Sequence, residues 1–474
     1  MQKSGMTNTH STCIASFILP LLMWSGIINA DVNVRSVPEQ QLAHDIYKQF
    51  IEIPSGFSTG PTTPIAAVAA ARLKAAGFPA EDIFIGGATP EKGNLVVRYH
   101  GTGERKPILL LAHIDVVEAK REDWTTDPFK LVEKDGYFYG RGTSDDKAQA
   151  AIWIANLIQF KREGFKPDRD IIVALTADEE GGGPYNGVEW LLKNHPDLIN
   201  ADFALNEGGW GELVNGRKIS NHIQISEKNF VNFRFEVHNK GGHSSMPVAD
   251  NAIYHLADAL QRLSKFNFPL KTNAITATYF KQSAKLDAGP NKQILAQAST
   301  GSPEALKKVA AVSPMWNATL RTTCVPTMLE GGHARNALPQ LAVANINCRL
   351  LPEDSTDYVL TTLQKVVDDN QVTIVKTEGM TPGPSSPLRS DVMSAVTAST
   401  NSIWPNVPVV AIMVTGATDG RYLRAAGIPT YGVQGLFSER DDIRAHGRDE
   451  RLRMESFYEG QAFLYDLVKR LSTA

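Results

Sequence analysis

Ile171-Ile172-Val173-Ala174-Leu175 runs without interruption into Thr176-Ala177-Asp178-Glu179-Glu180-Gly181-Gly182-Gly183. An apolar, β-branched run of this length reads as a strand buried on both faces, and such strands belong to parallel sheets. Sheets of that kind keep their chemistry at the carboxyl ends of their strands, where this one delivers adjacent carboxylates and three glycines. Neither acid suits a core. Neighbouring side chains leaving a strand point to opposite sides, so one glutamate can ligate a metal while the other handles a proton.

Other segments must then supply the remaining ligands. Residues 107–112 are apolar and end in His113-Ile114-Asp115-Val116-Val117. Alternation puts His113 and Asp115 on one side of the chain, where the carboxylate can fix the imidazole tautomer. Alone, His-x-Asp is a weak pattern, as expected of a solvated surface histidine as of a ligand. Ala201-Asp202-Phe203-Ala204-Leu205-Asn206-Glu207-Gly208-Gly209 repeats the theme of an apolar strand ending in acid and glycines. Gly140-Arg141-Gly142-Thr143-Ser144-Asp145-Asp146-Lys147 is a glycine-bounded turn ahead of a helix predicted over 148–162. One of its aspartates can cap that helix, but two beside further acidic strand ends are better explained by a shared cation. A second imidazole is still needed, and His446 in the polar loop Arg444-Ala445-His446-Gly447 is the candidate.

Strand and helix alternate around these motifs, which implies an α/β fold with a mostly parallel sheet and right-handed crossovers. From about 228 the pattern changes to half-exposed strands (230–238, 341–350, 372–377) and amphipathic helices (252–263, 358–368), an α+β layer inserted into the first domain. The organisation expected is a leader over 1–30, a catalytic domain over 31–227 and 380–474, and a lid or dimerisation layer over 228–379.

At 474 residues with net charge −3, the chain is long enough for two domains and has no basic excess to recruit nucleic acid. Its first thirty residues contain an apolar run ending at Asn29-Ala30, read as a secretory signal cleaved after Ala30. That predicts a secreted or periplasmic protein without a stable membrane span in its mature form; an uncleaved anchor is the alternative. Beyond the leader remain Cys324 and Cys348, expected to be buried free thiols, with a disulfide as the other possibility and no catalytic role for either.

His113, Asp145, Glu180, Glu207 and His446 offer two nitrogen and three carboxylate ligands. Shared through one bridging aspartate, they suit two Zn(II) ions, or Co or Mn in their place, holding between them a water of lowered pKa. Glu179 is then free to take that water's proton and give it to a leaving amine, which implies amide hydrolysis.

At these same residues the chain resembles the M20 family of co-catalytic zinc peptidases and amidohydrolases. The resemblance rests on His113-Ile114-Asp115-Val116-Val117, Gly140 to Lys147, Glu179-Glu180, Asn206-Glu207-Gly208 and His446-Gly447, in that order along the chain. It implies Asp145 as the bridging ligand, His113 and Glu207 on one metal, Glu180 and His446 on the other, Glu179 as general base and Asp115 orienting His113. It also implies a lid that forms a homodimer, in which Gly241-Gly242-His243-Ser244-Ser245-Met246-Pro247 supplies His243 to stabilise the oxyanion. Asn336 and Arg349 resemble lid positions that contact substrate, the guanidinium clamping a carboxylate. Ala148 stands where many members have glycine, a change that a helix start tolerates. The leader and the residues before Asn336 look most like the carboxypeptidase S and secreted aminoacylase-like branch. The leading functional reading is an exopeptidase releasing a C-terminal amino acid from short peptides. Hydrolysis of N-acyl amino acids by the same machinery competes with it, and a non-catalytic metal- or peptide-binding protein is the reading from another class.

Overall fold

Three of the apolar runs lie side by side. In the computed structural model, which describes residues 37–181, 183–379 and 382–473, strand Ile108–His113 is flanked in parallel by Ile171–Thr176 and Phe203–Asn206. Their apolar residues are continuous because both faces of the sheet are covered: Ile171, Val173 and Leu175 enter one core, Ile172 and Ala174 the other. Helices Val37–Ile51, Lys147–Glu163 and Met454–Leu471 pack on the first face, Gly187–Asn194 and Gly420–Ala425 on the second. Trp153, wholly buried in the first core, donates its indole N–H to the Leu111 carbonyl at 3.1 Å, which fastens the helix Lys147–Glu163 to the central strand.

Among the described residues this sheet grows to ten strands. Thr430–Gly432 continues it in parallel beside Phe203–Asn206, while Gly93–Tyr99 and Ile83–Gly87 close the opposite flank antiparallel. A hairpin not foreseen from the sequence joins Gly211–Val214 to Arg217–Glu227. Its two-residue turn, Asn215-Gly216, has φ of +52° and +74°, the left-handed pair that matches the natural twist of a hairpin. Strand Val409–Val414 pairs in parallel with Arg217–Glu227. Its backbone is also met by Gln282, whose amide donates to the Val409 carbonyl and accepts from the Ala411 N–H, both at 3.1 Å. A side chain thus blunts an edge that would otherwise invite another strand.

A second, antiparallel sheet is drawn from residues between 229 and 379, in the order Thr323–Gly331, Leu341–Leu350, Asn229–His238, Val372–Gly379. Helices Ala252–Lys265 and Thr356–Val367 bury Leu256, Ala259, Val359 and Leu363 against its alternating apolar face, which includes Phe233 and Phe235. The helices Ala274–Leu286, Lys292–Ala298, Pro303–Val312 and Pro314–Leu320, also absent from the sequence reading, form their own core around Phe280, Leu295 and Val309.

Cys324 and Cys348, expected as free thiols, are joined in a disulfide. The reason is register: Thr323–Gly331 pairs with Leu341–Leu350 so that the two cysteines lie directly opposite one another, which alternation within either strand cannot reveal. The leader read over 1–30 lies outside the described residues, among which no helix is long and apolar enough to cross a membrane.

A cross-link over 24 residues removes enough unfolded-chain entropy to stabilise the fold by about 3 kcal/mol. Cys324→Ser should therefore lower the midpoint of thermal unfolding, and a chain begun at Asp31 and kept from reductant should show no free thiol when denatured. Two titratable thiols in that sample would contradict the bridge.

Candidate metal centre

At the end of Ile171–Thr176 the chain turns sharply, with Asp178 at φ +61° and its carboxylate 3.1 Å from Lys92 Nζ. The turn presents the backbone N–H groups of Glu179 and Glu180 to the two oxygens of Asp115, at 3.1 and 3.0 Å. Asp115, wholly buried, also faces His113: its carbonyl lies 3.0 Å and its carboxylate 3.6 Å from Nδ1. The residue thus braces the imidazole chiefly through its backbone, while its carboxylate holds the acidic pair.

With Nδ1 so placed, His113 turns Nε2 toward Asp145 Oδ1 at 2.9 Å and Glu207 Oε2 at 4.0 Å. His446, itself at φ +63°, puts Nε2 3.0 Å from both Asp145 Oδ2 and Glu180 Oε1. Two overlapping donor sets result, His113 with Asp145 and Glu207, and Asp145 with Glu180 and His446, each with its donor atoms within 4.8 Å of one another. Asp145 offers one oxygen to each set. Asp146, its neighbour, turns away to accept from Gln434 at 3.0 Å and does not cap the following helix with its side chain.

Burial pushes the carboxyls of Glu179 and Glu207 well above the usual carboxylate range and raises Glu180 as well. At His113 burial acts to lower the pKa and is outweighed by hydrogen bonds to Asp115 and Asp145, so the imidazole is held well above its ordinary value. Asp145 is opposed by burial too, yet its bonds to His113 and His446 keep it below the usual range. Hydrogen bonds to Asp145 and Glu180 push His446 up to about 10. A nitrogen and oxygen donor set of this composition, two imidazoles and three carboxylates, fits a pair of divalent metal ions.

His243 and Asn336 come together elsewhere, on the short ribbon formed by Gly242–His243 and Ala337–Leu338, where the Asn336 carbonyl accepts from Ser244 N–H at 2.9 Å. His243 is exposed, its Nδ1 2.8 Å from Ser245 Oγ, and neither residue has a hydrogen bond or ion pair to the donor sets. Arg349 lies on Leu341–Leu350 opposite Phe230, its guanidinium carbon 5.3 Å from that ring's centre. Burial, and then the nearby Arg421, lower its pKa, so two guanidinium groups share this region. Sequence reading passed over Asp419, which helps to shape the centre. Asp419 accepts from Thr176 Oγ1 at 2.9 Å and from Asn186 at 2.6 Å. Lys147, quoted in the motif but given no role there, is brought down to about 7 by burial and donates to the Ile53 carbonyl. Nothing in a single sequence marks either polar residue as wholly buried.

Residues 109–470 match the profile of Peptidase family M20/M25/M40. Among curated proteins, the chain is 31% identical over 377 residues to the N-fatty-acyl-amino acid synthase/hydrolase PM20D1 of Xenopus tropicalis, covering 77% of this chain and 73% of that one. It is 30% identical over 394 residues to the probable carboxypeptidase S-like 2 of Dictyostelium discoideum, covering 79% and 74%. Among solved structures, the M20 family metallo-carboxypeptidase Sso-CP2 of Sulfolobus solfataricus superposes with a TM-score of 0.68 at 16% identity, over 90% of this chain and 98% of that one.

Metal must displace a proton here. A ligating imidazole is neutral, whereas His446 is held charged at neutral pH by its pKa of about 10. Calorimetric titration of the metal-free chain with Zn(II), in buffers of different ionisation enthalpy near neutral pH, should read at least one proton released. Binding without proton release would contradict this charge state.

Proposed function

The chain belongs to peptidase family M20/M25/M40 and is a hydrolase of that family, and from this premise we propose that it cleaves the amide bond that joins an amino acid with a free carboxylate to the rest of a short peptide. His113, Glu207 and Asp145 would hold one Zn(II) ion and Asp145, Glu180 and His446 a second, with Co or Mn as substitutes. When bound, such a pair lowers the pKa of a water and withdraws charge from the scissile carbonyl.

The observation that carries the reading is Glu179. Its carboxylate has no hydrogen bond or ion pair among the described residues, although its backbone N–H is fixed by Asp115 and the next residue is a donor to the cation site. An acid with its backbone pinned and its oxygens uncommitted suits a group that takes a proton from water and returns it to the leaving amine nitrogen. A purely binding protein has no use for it. Arg349 clamps the substrate's carboxylate, Asn336 contacts substrate, and His243 stabilises the developing oxyanion, reaching the site from the partner in a homodimer. The antiparallel layer over 228–379 then serves as lid and dimer interface, the remainder as catalytic domain. Secretion or export to the periplasm after cleavage near Ala30 completes the proposal.

A second reading has specific support. Similarity to the Xenopus tropicalis N-fatty-acyl-amino acid synthase/hydrolase favours an N-acyl amino acid as substrate, cleaved by the same groups and released with the same free carboxylate. Only the pocket on the acyl side separates the two.

Glu179→Gln should keep both metals and lower turnover about 10²- to 10⁴-fold, the usual contribution of a positioned proton carrier. Unchanged turnover would sink the mechanism. Blocked dipeptides and long-chain N-acyl amino acids compared as substrates of the zinc-loaded enzyme decide between the readings, with release of the C-terminal residue from the dipeptides the expected preference.

A further inference from the structure

We propose that Glu450 is the positioning residue of the metal centre: its carboxylate fills an anion-binding nest in the turn that carries Asp145 and locks that turn to the loop that carries His446. The inference rests on the two-metal reading above and goes beyond its ligands to what holds them.

Glu450 is wholly buried. Its Oε2 accepts from Arg141 Nη1 at 2.8 Å and from Gly142 N–H at 3.1 Å. Its Oε1 accepts from Ser144 N–H at 2.7 Å, from Ser144 Oγ at 2.9 Å and from Asp145 N–H at 3.2 Å. Three backbone N–H groups from four successive residues therefore point at one carboxylate, a concavity that backbone makes for an anion. Gly142 permits it, with φ at +88° and no room for a Cβ, which would stand 2.9 Å from Lys147 Cδ and 3.0 Å from Val116 Cγ1.

The same segment is stitched to the turn on either side. Gly140 N–H donates to the Glu450 carbonyl at 3.1 Å, and Arg141 Nη2 donates to the Gly447 carbonyl, next to His446, at 3.0 Å. Thr125 donates through N–H and Oγ1 to Asp449, both at 2.9 Å. Beyond it, Arg451–Arg453 pairs antiparallel with Tyr137–Tyr139. Residues some three hundred apart in sequence are thereby held as one piece. The donor shared by both metal sets sits on one side of the joint and His446 on the other. A charged acceptor is needed: five donors converge on it, including a guanidinium, and charge-assisted bonds are the strong ones. Replacing it with an amide leaves shape intact but sets an N–H₂ group against other donors.

The test is Zn(II) affinity of the full chain from Asp31, measured by competition with a fluorescent chelator, alongside thermal unfolding of the metal-free protein and steady-state kinetics. Glu450→Gln should weaken Zn(II) binding 10- to 100-fold, the usual effect of losing a group that orients ligands, and should lower kcat at limiting metal with KM unmoved. Arg141→Lys keeps a cation beside the carboxylate but loses the fork that reaches Gly447, and should weaken Zn(II) in the same direction; it supplies the answer where Glu450→Gln fails to fold. Glu179→Gln, run in parallel, should bind Zn(II) as the wild type does. Wild-type Zn(II) affinity in folded Glu450→Gln, or in Arg141→Lys where that variant alone folds, would overturn the proposal, since a merely structural role would move only the melting temperature. A wild-type chain that takes up no pair of Zn(II) ions would overturn the two-metal reading and this one with it; Zn(II) binding without hydrolysis would overturn the functional reading alone.

Discussion

Carboxylates gathered out of water repel one another, and each loses the hydration that favours its charge. Asp145, Glu179, Glu180 and Glu207 meet with only two imidazoles between them, and three of the four are pushed toward their protonated forms. Such a grouping lowers stability unless cations are supplied. The surrounding structure holds these groups together in spite of that cost through two buried cores, one on each face of the sheet, a tryptophan fastened to the central strand, and a glutamate that clasps the shared ligand's turn.

Parallel strands make the gathering simple. Ile108–His113, Ile171–Thr176 and Phe203–Asn206 end at neighbouring points on one edge, so a residue placed just past each terminus arrives in the same small volume. The two remaining donors come from turns, Asp145 before a helix and His446 near the end of the chain. These depend on the joint made by Arg141 and Glu450, because a loop has no ladder to fix it. Strand ends are fixed by their ladders, and the two turns are fixed by a buried ion pair.

Much of this was legible in the amino-acid sequence. Strands 171–176 and 203–206 announce themselves by apolar runs that end in acid and glycine, and two-sided burial is the physical reason for those runs. Helix Met454–Leu471 and strand Leu341–Leu350 show their periods equally well. What could not be read depended on partners distant in the chain. The bond between Cys324 and Cys348 depends on the register of two strands. Among the helices from Ala274 to Leu320, Lys292–Ala298 and Pro314–Leu320 are seven residues each, too short to display a helical period. Glu450 stands in Arg448-Asp449-Glu450-Arg451, a run that reads as solvated, and only the approach of the Gly142 turn removes it from water. Asp115 was legible as a neighbour of His113, but its carboxylate is largely taken by N–H groups some sixty residues further on.

Five side chains from three strand ends and two turns are placed to hold two metal ions with Asp145 shared between them. Anomalous diffraction at the zinc edge from crystals grown with Zn(II) tests it most directly. Two peaks ~3.5 to 4 Å apart are expected, one beside His113 and Glu207, the other beside Glu180 and His446, with an Asp145 oxygen near each. A single peak, or zinc bound at other residues, would contradict it.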